Sequence, residues 1–231
     1  MIKISYVELP ANDKPPARGF LAEPGTPGQY PGVILIHGIW GLVDQVKGLC
    51  RRLATKYYIA LAPDLFLGKT AATPEEGQSR YREVPQSRML ATLNAAYQCL
   101  ANKPNATGKV GTVGYGLGGT LSLQWAIQNP RLNAAVVYYG SNPEPLDKVA
   151  KIQCPLLGNY GGEDESVSPS AVHDLEELLR RHGKQFDIKI YPRAPHGFAN
   201  ETRSEYRHLE TINAWIRMMD FLRNNLKEGT T

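Results

Sequence analysis

The sequence contains no long apolar run. No stretch approaches the roughly 18 consecutive apolar residues that a membrane-spanning helix needs, so we expect no membrane segment. The first residues, "MIKISYVELP", show no basic region leading into an apolar one, and we expect no signal peptide. The net charge of +4 is mild and its Lys and Arg residues are scattered. This distribution does not favour nucleic acid or another polyanion as a partner.

Cysteine is also scarce. The chain has three cysteines, Cys50, Cys99 and Cys154, each in an apolar context and without the spacing of metal ligands. We therefore expect buried, reduced thiols, neither a metal site nor a cofactor, and a cytoplasmic location.

The elements that are present alternate between strands and helices. The 231 residues fit one α/β domain, which we expect to span 1–231. Short apolar runs separated by helical periodicity predict a mostly parallel central sheet with helices on both faces. The predicted strands are 2–9, 17–23, 31–38, 58–65, 108–114, 133–140, 154–161 and 186–192, and the predicted helices are 42–56, 87–102, 120–130, 170–183 and 203–226.

The polar segment 66–84 interrupts this alternation. It is rich in Gly, Thr, Glu and Arg, and we interpret it as an excursion at the sheet edge near the entrance of the site. Its cations Lys69, Arg80 and Arg82 are candidates for contact with an acidic substrate. A solvated charged loop explains them equally well.

A glycine-dense turn stands where hydrolases of one large class hold their nucleophile. The stretch "VGTVGYGLGGTLSLQWA" (110–126) predicts a strand, a tight turn and a helix, and G-x-S-x-G is the nucleophile pattern for such a turn. Here Gly116 occupies the middle position, so no side chain carries a reacting atom. Gly114, Gly116 and Gly119 also fit a phosphate-binding G-x-G-x-x-G. That alternative is disfavoured because the turn lies mid-chain and the next strand ends without an acidic residue.

Three other strand ends carry chemically suggestive residues. "HGIWG" (37–41) presents backbone N–H groups of the kind that an oxyanion hole needs. Asp164 follows the seventh strand in "GNYGGEDESVSP", and His196 follows the last strand in "YPRAPHGFAN". An elbow followed by Asp and then His is the chain order of the α/β-hydrolases.

Across nearly its whole length the sequence resembles the dienelactone hydrolases and the carboxymethylenebutenolidase-like hydrolases. The resemblance implies an α/β-hydrolase fold with Gly116 at the nucleophile position, Asp164 as the acid and His196 as the base. It also implies an oxyanion hole formed by the backbone N–H groups of Ile39 and Leu117. The matching pieces are "VILIHGIWGL", "YYIALAPDLF", "VGTVGYGLGG", "NYGGEDESVSP" and "APHGFAN".

Two further positions depart from the family pattern. Dienelactone hydrolases have Glu where this chain has Gly38, and an Arg that binds the substrate carboxylate where this chain has Asn200. These departures argue against dienelactone itself as the substrate. Trp40, beside the oxyanion loop, and Tyr115, next to the elbow, are candidates for lining the substrate site.

Three functions remain open at this stage. The favoured one is a hydrolase of small esters or lactones, a monomer or small homo-oligomer, whose chain is inactive or strongly impaired by Gly116. The second is a non-catalytic protein that binds a small carboxylate or ester in the same place. The third is a nucleotide-dependent enzyme that uses the glycine turn. Thr120 and Ser122 lie too far into the following helix to replace the nucleophile.

Overall fold

The structure is a computed structural model that describes residues 1–10 and 15–227. Its strands are β1 (Ile2–Leu9), β2 (Ala17–Pro24), β3 (Tyr30–Ile36), β4 (Ile59–Pro63), β5 (Ala106–Tyr115), β6 (Ala134–Tyr138), β7 (Leu156–Gly161) and β8 (Phe186–Tyr191). Its α-helices are α1 (Asp44–Thr55), α2 (Pro74–Glu83), α3 (Gln86–Ala101), α4 (Leu117–Gln128), α5 (Pro169–Arg181) and α6 (His208–Leu226). A short 3-10 helix covers Leu146–Lys151.

The strands of the described residues form an eight-stranded sheet in the order β1-β2-β4-β3-β5-β6-β7-β8. The predicted α/β fold with a mostly parallel sheet is therefore confirmed. By internal contacts the chain divides into two compact units, residues 1–110 and 111–231, with the boundary inside β5. The prediction of one functional domain stays a prediction.

In residues 1–110 an antiparallel ribbon leads into a parallel pair. β1 pairs with β2 from Ile2 opposite Pro24, β2 pairs antiparallel with β4, and β3 pairs parallel with β4. Helix α1 packs on β2 and β4, and α3 packs on β3 and β4. All residues of β3 and β4 are buried, because strands covered on both faces bury both sets of side chains.

In residues 111–231 the sheet is parallel throughout. β6 pairs with β5 and β7, and β7 pairs with β8. Helix α4 contacts β6, α5 contacts β7 and β8, and α6 contacts β6 and β7. Because parallel strands end at the same edge of a sheet, the loops after β5, β6, β7 and β8 emerge together.

The boundaries of some elements differ from the prediction. The segment 66–84, interpreted as an excursion at the sheet edge with no helix assigned to it, contains α2, whose N-cap Thr73 accepts a hydrogen bond from the Glu76 N–H. Helix α4 begins at Leu117 rather than at 120, and α6 begins at His208 rather than at 203. Residues 203–207 turn instead, with the Arg207 N–H donating to the Phe198 carbonyl.

The three cysteines were predicted to be buried, reduced thiols. Cys50 and Cys154 are buried and Cys99 is half-buried, and all three are free thiols. Within residues 1–10 and 15–227, no cluster of His, Cys, Asp and Glu is arranged to hold a metal ion. Over the same residues, no helix combines the length and apolar character needed to cross a membrane.

Candidate active site

Gly116 connects β5 to α4 in a backbone conformation that L side chains rarely adopt, with φ 55° and ψ −116°. Its N–H donates to the Tyr138 carbonyl at 3.0 Å, and its own carbonyl accepts from the Thr120 N–H at 3.0 Å. These two bonds fix the turn between the end of β6 and the first turn of α4. The geometry is that of a sharp strand-to-helix elbow.

The glycines on either side of Gly116 are required by close backbone approach. A Cβ at Gly114 would overlap the carbonyl of Gly118, and a Cβ at Gly119 would lie 2.7 Å from the Tyr138 carbonyl oxygen. Neither contact is with a flexible side chain that could move away. The elbow can therefore form only when these two positions lack side chains.

Asp164 and His196, the residues that the sequence analysis names as acid and base, are joined by a hydrogen bond. His196 Nδ1 lies 2.9 Å from Asp164 Oδ2. The other carboxylate oxygen, Oδ1, accepts from the backbone N–H groups of Ser166 and Val167, each at 2.8 Å. The Asp164 side chain is fully buried, whereas 39% of the His196 side chain is exposed. Because an ionised carboxylate only accepts, Nδ1 carries the imidazole proton and the Nε2 lone pair is left as an acceptor.

Two glycines bring the Asp164 loop against the His196 loop. A Cβ at Gly161 would overlap the Ala194 carbonyl, and a Cβ at Gly162 would overlap Pro192. Backbone hydrogen bonds hold the loops together, from the Gly162 N–H to the Tyr191 carbonyl at 2.8 Å and from the Glu163 N–H to the Ala194 carbonyl at 3.0 Å. The "GG" before the acid thus has a direct role in placing the pair.

The elbow and the Asp–His pair converge. An ideal Cβ built on Gly116 lies 3.5 Å from His196 Nε2, and its next neighbours are ring atoms of Tyr139 at 3.9 Å. These are ordinary van der Waals distances, so the position is open in front of the acceptor nitrogen. Among the described residues, no hydrogen-bond partner of His196 Nε2 is found. A hydroxyl or thiol at position 116 would have this nitrogen as its nearest base.

Tyr139 lies beside His196, although the sequence analysis does not name it as a site residue. It has φ 41°, its backbone N–H donates to the Asn159 carbonyl at 2.8 Å, and its side chain is buried. Its ring centre lies 5.0 Å from that of His196. Burial raises the pKa of its hydroxyl well above the usual value, so the hydroxyl stays protonated even in alkaline solution. Tyr115 stacks on Tyr138 at 4.5 Å, and its contact with substrate stays a prediction.

Ile39 and Trp40 lie in the loop after β3, where both are half-buried. The Ala71 N–H donates to the Trp40 carbonyl at 3.2 Å. A Cβ on Gly77 of α2 would lie 2.7 Å from the Ile39 carbonyl oxygen, so the missing side chain lets α2 lie directly on this loop. The segment 66–84 therefore supports the loop that the family resemblance assigns to the oxyanion hole.

His37 holds the loop after β3 in place through two hydrogen bonds. Its Nε2 accepts from the Leu65 N–H at 3.1 Å, so Nδ1 carries the proton and donates to the Gly38 carbonyl at 2.8 Å. Burial lowers the pKa of this imidazole, which keeps the ring neutral. The ring also meets Phe66 edge to face at 4.9 Å. The sequence reasoning did not single out this side chain.

Lys69 and Arg80, the cations predicted to contact substrate, both form an ion pair with Glu83. Lys69 Nζ lies 2.8 Å from one oxygen of Glu83, and Arg80 Nη1 lies 2.9 Å from the other. Glu83 carries one negative charge against these two positive ones, so it offsets only part of their charge. A role for Lys69 and Arg80 in binding substrate stays a prediction.

The eight-stranded, mostly parallel sheet, with the elbow after β5, Asp164 after β7 and His196 after β8, defines an α/β-hydrolase fold. Comparison with known proteins gives the particular family. Residues 17–226 match the model of the dienelactone hydrolase family, and the chain belongs to that family. The family assignment identifies a hydrolase of the dienelactone hydrolase type.

Individual relatives agree with this assignment. The chain is 31% identical to a "Putative carboxymethylenebutenolidase" of Saccharolobus solfataricus, over 89% of this chain and 93% of the relative. Its fold matches the crystal structure titled "Putative Dienelactone Hydrolase" from Klebsiella pneumoniae, with TM-score 0.88, 26% identity and coverage of 96% and 98% of the two chains. A dienelactone hydrolase-like promiscuous phosphotriesterase from metagenomic libraries, with TM-score 0.86 and 22% identity over 96% of this chain and 99% of that chain, shares the fold.

Proposed function

We propose that the protein is an ester or lactone hydrolase of the dienelactone hydrolase family, built for acyl transfer, in which Gly116 leaves the nucleophile position without a reacting atom. The observation that carries this proposal is the 3.5 Å between His196 Nε2 and the Cβ position of residue 116. A bonded pair of Asp164 and His196, aimed at an elbow position, has the arrangement of a base that serves a nucleophile.

The working cycle follows from the roles of these groups. A thiol or hydroxyl at position 116 would lose its proton to His196 Nε2 and attack the carbonyl carbon of the ester or lactone. Asp164 would stabilise the imidazolium that forms. The family resemblance assigns the developing oxyanion to the backbone N–H groups of Ile39 and Leu117. Leu117 is the first residue of α4, where N–H groups have no acceptor within the helix. Water would then release the acid.

Glycine at position 116 removes the first step. In a serine protease, loss of a nucleophile lowers turnover by about 10⁶-fold, and binding with oxyanion stabilisation alone leaves about 10³–10⁴-fold over water. We therefore propose that the chain is inactive or strongly impaired in hydrolysis. Neither Lys69 nor Arg80 is needed for this conclusion, and both remain candidate substrate contacts together with Trp40 and Tyr115.

The substrate class is proposed more broadly than dienelactone. Gly38 and Asn200 stand where the dienelactone hydrolases proper have a Glu that controls the thiol and an Arg that binds the substrate carboxylate. The name carboxymethylenebutenolidase describes the relative in Saccharolobus solfataricus. For this chain we propose small esters or lactones as substrates, with neither metal nor cofactor. We also propose that the protein is a monomer or small homo-oligomer in the cytoplasm.

A second candidate function follows from Gly116 itself. The same arrangement without a reacting atom suits a protein that binds a small ester or carboxylate and releases it unchanged. Turnover separates the two functions, because a binding protein gains nothing from a restored nucleophile.

The experiment compares the rates of phenyl acetate and small-lactone hydrolysis for the native chain, Gly116→Cys and Gly116→Ser, with Gly116→Ala as the matched control. Cys, Ser and Ala share the same Cβ and the same backbone strain, but Ala has no reacting atom. We expect Cys or Ser to raise the rate by several orders of magnitude and Ala to leave it unchanged. Folded Cys and Ser variants with rates equal to that of Ala would contradict the hydrolase proposal and favour the binding function.

A further inference from the structure

We propose that the native chain uses a small external thiol as its nucleophile, so that it transfers an acyl group from an ester to a thiol. This inference rests on the proposed function, because it uses the same base and the same acyl donor. In this proposal, the missing side chain at Gly116 leaves room in which a free thiol binds next to His196.

The space for such a thiol is the space that a cysteine side chain would fill. Apart from the adjoining backbone, the nearest atoms to the Cβ position of residue 116 are His196 Nε2 at 3.5 Å and the edge of the Tyr139 ring at 3.9 Å. Methanethiol has the same heavy atoms as the side chain of cysteine and is the smallest organic thiol, so it is the probe that the space in front of His196 Nε2 admits most readily. The Tyr139 ring, packed between Phe198 at 5.5 Å and His196 at 5.0 Å, supplies an aromatic surface on which a sulfur atom packs well.

His196 is already oriented to act as the base. The bond from Nδ1 to the buried carboxylate of Asp164 fixes the tautomer that exposes the Nε2 lone pair. Two backbone N–H groups, those of Ser166 and Val167, hold Asp164 in place. The Asp164–His196 pair therefore keeps its orientation without a side chain at position 116. The His196 side chain is 39% exposed, so the imidazole is in contact with solvent.

A thiol suits this base better than water or an alcohol. A thiol is far more acidic than water or an alcohol, and its anion is intrinsically nucleophilic. In the proposed step, His196 Nε2 takes the thiol proton, the sulfur bonds to the carbonyl carbon, and the carbon–oxygen bond to the leaving alcohol breaks. The alcohol leaves with the proton from His196. An ester and a thiol thus give a thioester and an alcohol, with no oxidant or reductant required.

The test measures formation of S-methyl thioacetate from phenyl acetate and methanethiol by chromatography, with the uncatalysed reaction subtracted. The native chain is compared with Gly116→Ala, whose methyl group occupies the proposed thiol position, and with His196→Ala. Methanol replaces methanethiol in a parallel series. Thermal melting confirms that each variant is folded.

We expect thioester formation to saturate with thiol concentration and to exceed the uncatalysed reaction by about 10²-fold, the usual contribution of a general base. Both variants should lose this gain, and methanol should give less product than methanethiol. Equal rates for the native chain and Gly116→Ala would overturn the inference, as would a product rate no higher than that of the uncatalysed reaction.

The Gly116→Cys variant separates this failure from failure of the proposed function. If Gly116→Cys hydrolyses phenyl acetate while the native chain ignores methanethiol, the inference about the external thiol is overturned and the hydrolase proposal stands. If both are inactive, both proposals fail.

Discussion

Two glycines of the elbow should respond very differently to the same substitution. In Gly116→Ala, the new Cβ meets only His196 Nε2 at 3.5 Å and Tyr139 at 3.9 Å, so the cost is that of the backbone conformation at φ 55°. That cost is about 1–3 kcal/mol. In Gly114→Ala, the Cβ overlaps the backbone carbonyl of Gly118, which no change of rotamer can relieve. We expect a loss above about 4 kcal/mol, the range of exceptional mutations.

Equilibrium unfolding in urea measures both effects through the shift of the midpoint at constant slope. Gly116→Ala should shift the midpoint modestly and keep the native circular dichroism, whereas Gly114→Ala should fold poorly or not at all. Equal losses for the two variants would refute the reasoning, because they would mean that the elbow does not bring Gly114 onto the Gly118 backbone. A larger loss for Gly116→Ala would refute it too.

Three further predictions concern neighbouring parts of the molecule, each read out by urea unfolding. Gly77→Ala should destabilise the protein, because its Cβ would lie 2.7 Å from a carbonyl oxygen of the loop after β3. Gly48→Ala, with nothing within 4 Å of its Cβ, should stabilise the protein by about 0.5–1 kcal/mol. A change of the same sign in both variants would contradict this. Burial lowers the pKa of His37, so below about pH 6.5 this imidazole takes up a proton in the unfolded chain and not in the folded one. The free energy of unfolding should therefore fall as the pH drops further, by at most about 1.4 kcal/mol per pH unit. In His37→Gln this pH dependence should be weaker, and an unchanged profile would count against the neutral imidazole. Arg217→Met should cost about 1–3 kcal/mol, because it removes both the donor 2.7 Å from the buried amide oxygen of Asn159 and the ion pair with Asp187 at 2.6 Å. A change below about 0.5 kcal/mol would show that the two contacts together contribute little.

The fold could be predicted because its parallel strands are buried on both faces. Such strands read as short, continuous apolar runs, as in β3 and β4, and they identify an α/β sheet without knowledge of its contacts. The order of Asp164 and His196 along the chain was equally informative, because each follows a strand of that sheet. In the structure a 2.9 Å hydrogen bond joins them, and their roles as acid and base stay predictions.

Other features lacked a signal in the sequence. Helix α2 buries only Gly77, so its side chains show no apolar periodicity, although Thr73 and Pro74 form a recognisable helix start. The ion pair of Lys69 with Glu83 joins positions on both sides of this helix start and needs the loop geometry. Tyr139 looks like any aromatic residue at a strand end, and only the positive φ and the ring of His196 beside it show its place in the site.

Whether position 116 is the nucleophile position served by His196 can be tested on the protein itself. Gly116→Cys is mixed briefly with p-nitrophenyl acetate, and its intact mass and peptide masses are compared with those of the native chain and of Gly116→Cys/His196→Ala. The native chain supplies the control for Cys50, Cys99 and Cys154. The account predicts one acetyl group per chain on residue 116, formed in a burst, absent from the native chain and much slower without His196. Acetylation that is equal in all three proteins, or absent from a folded Gly116→Cys, would contradict it.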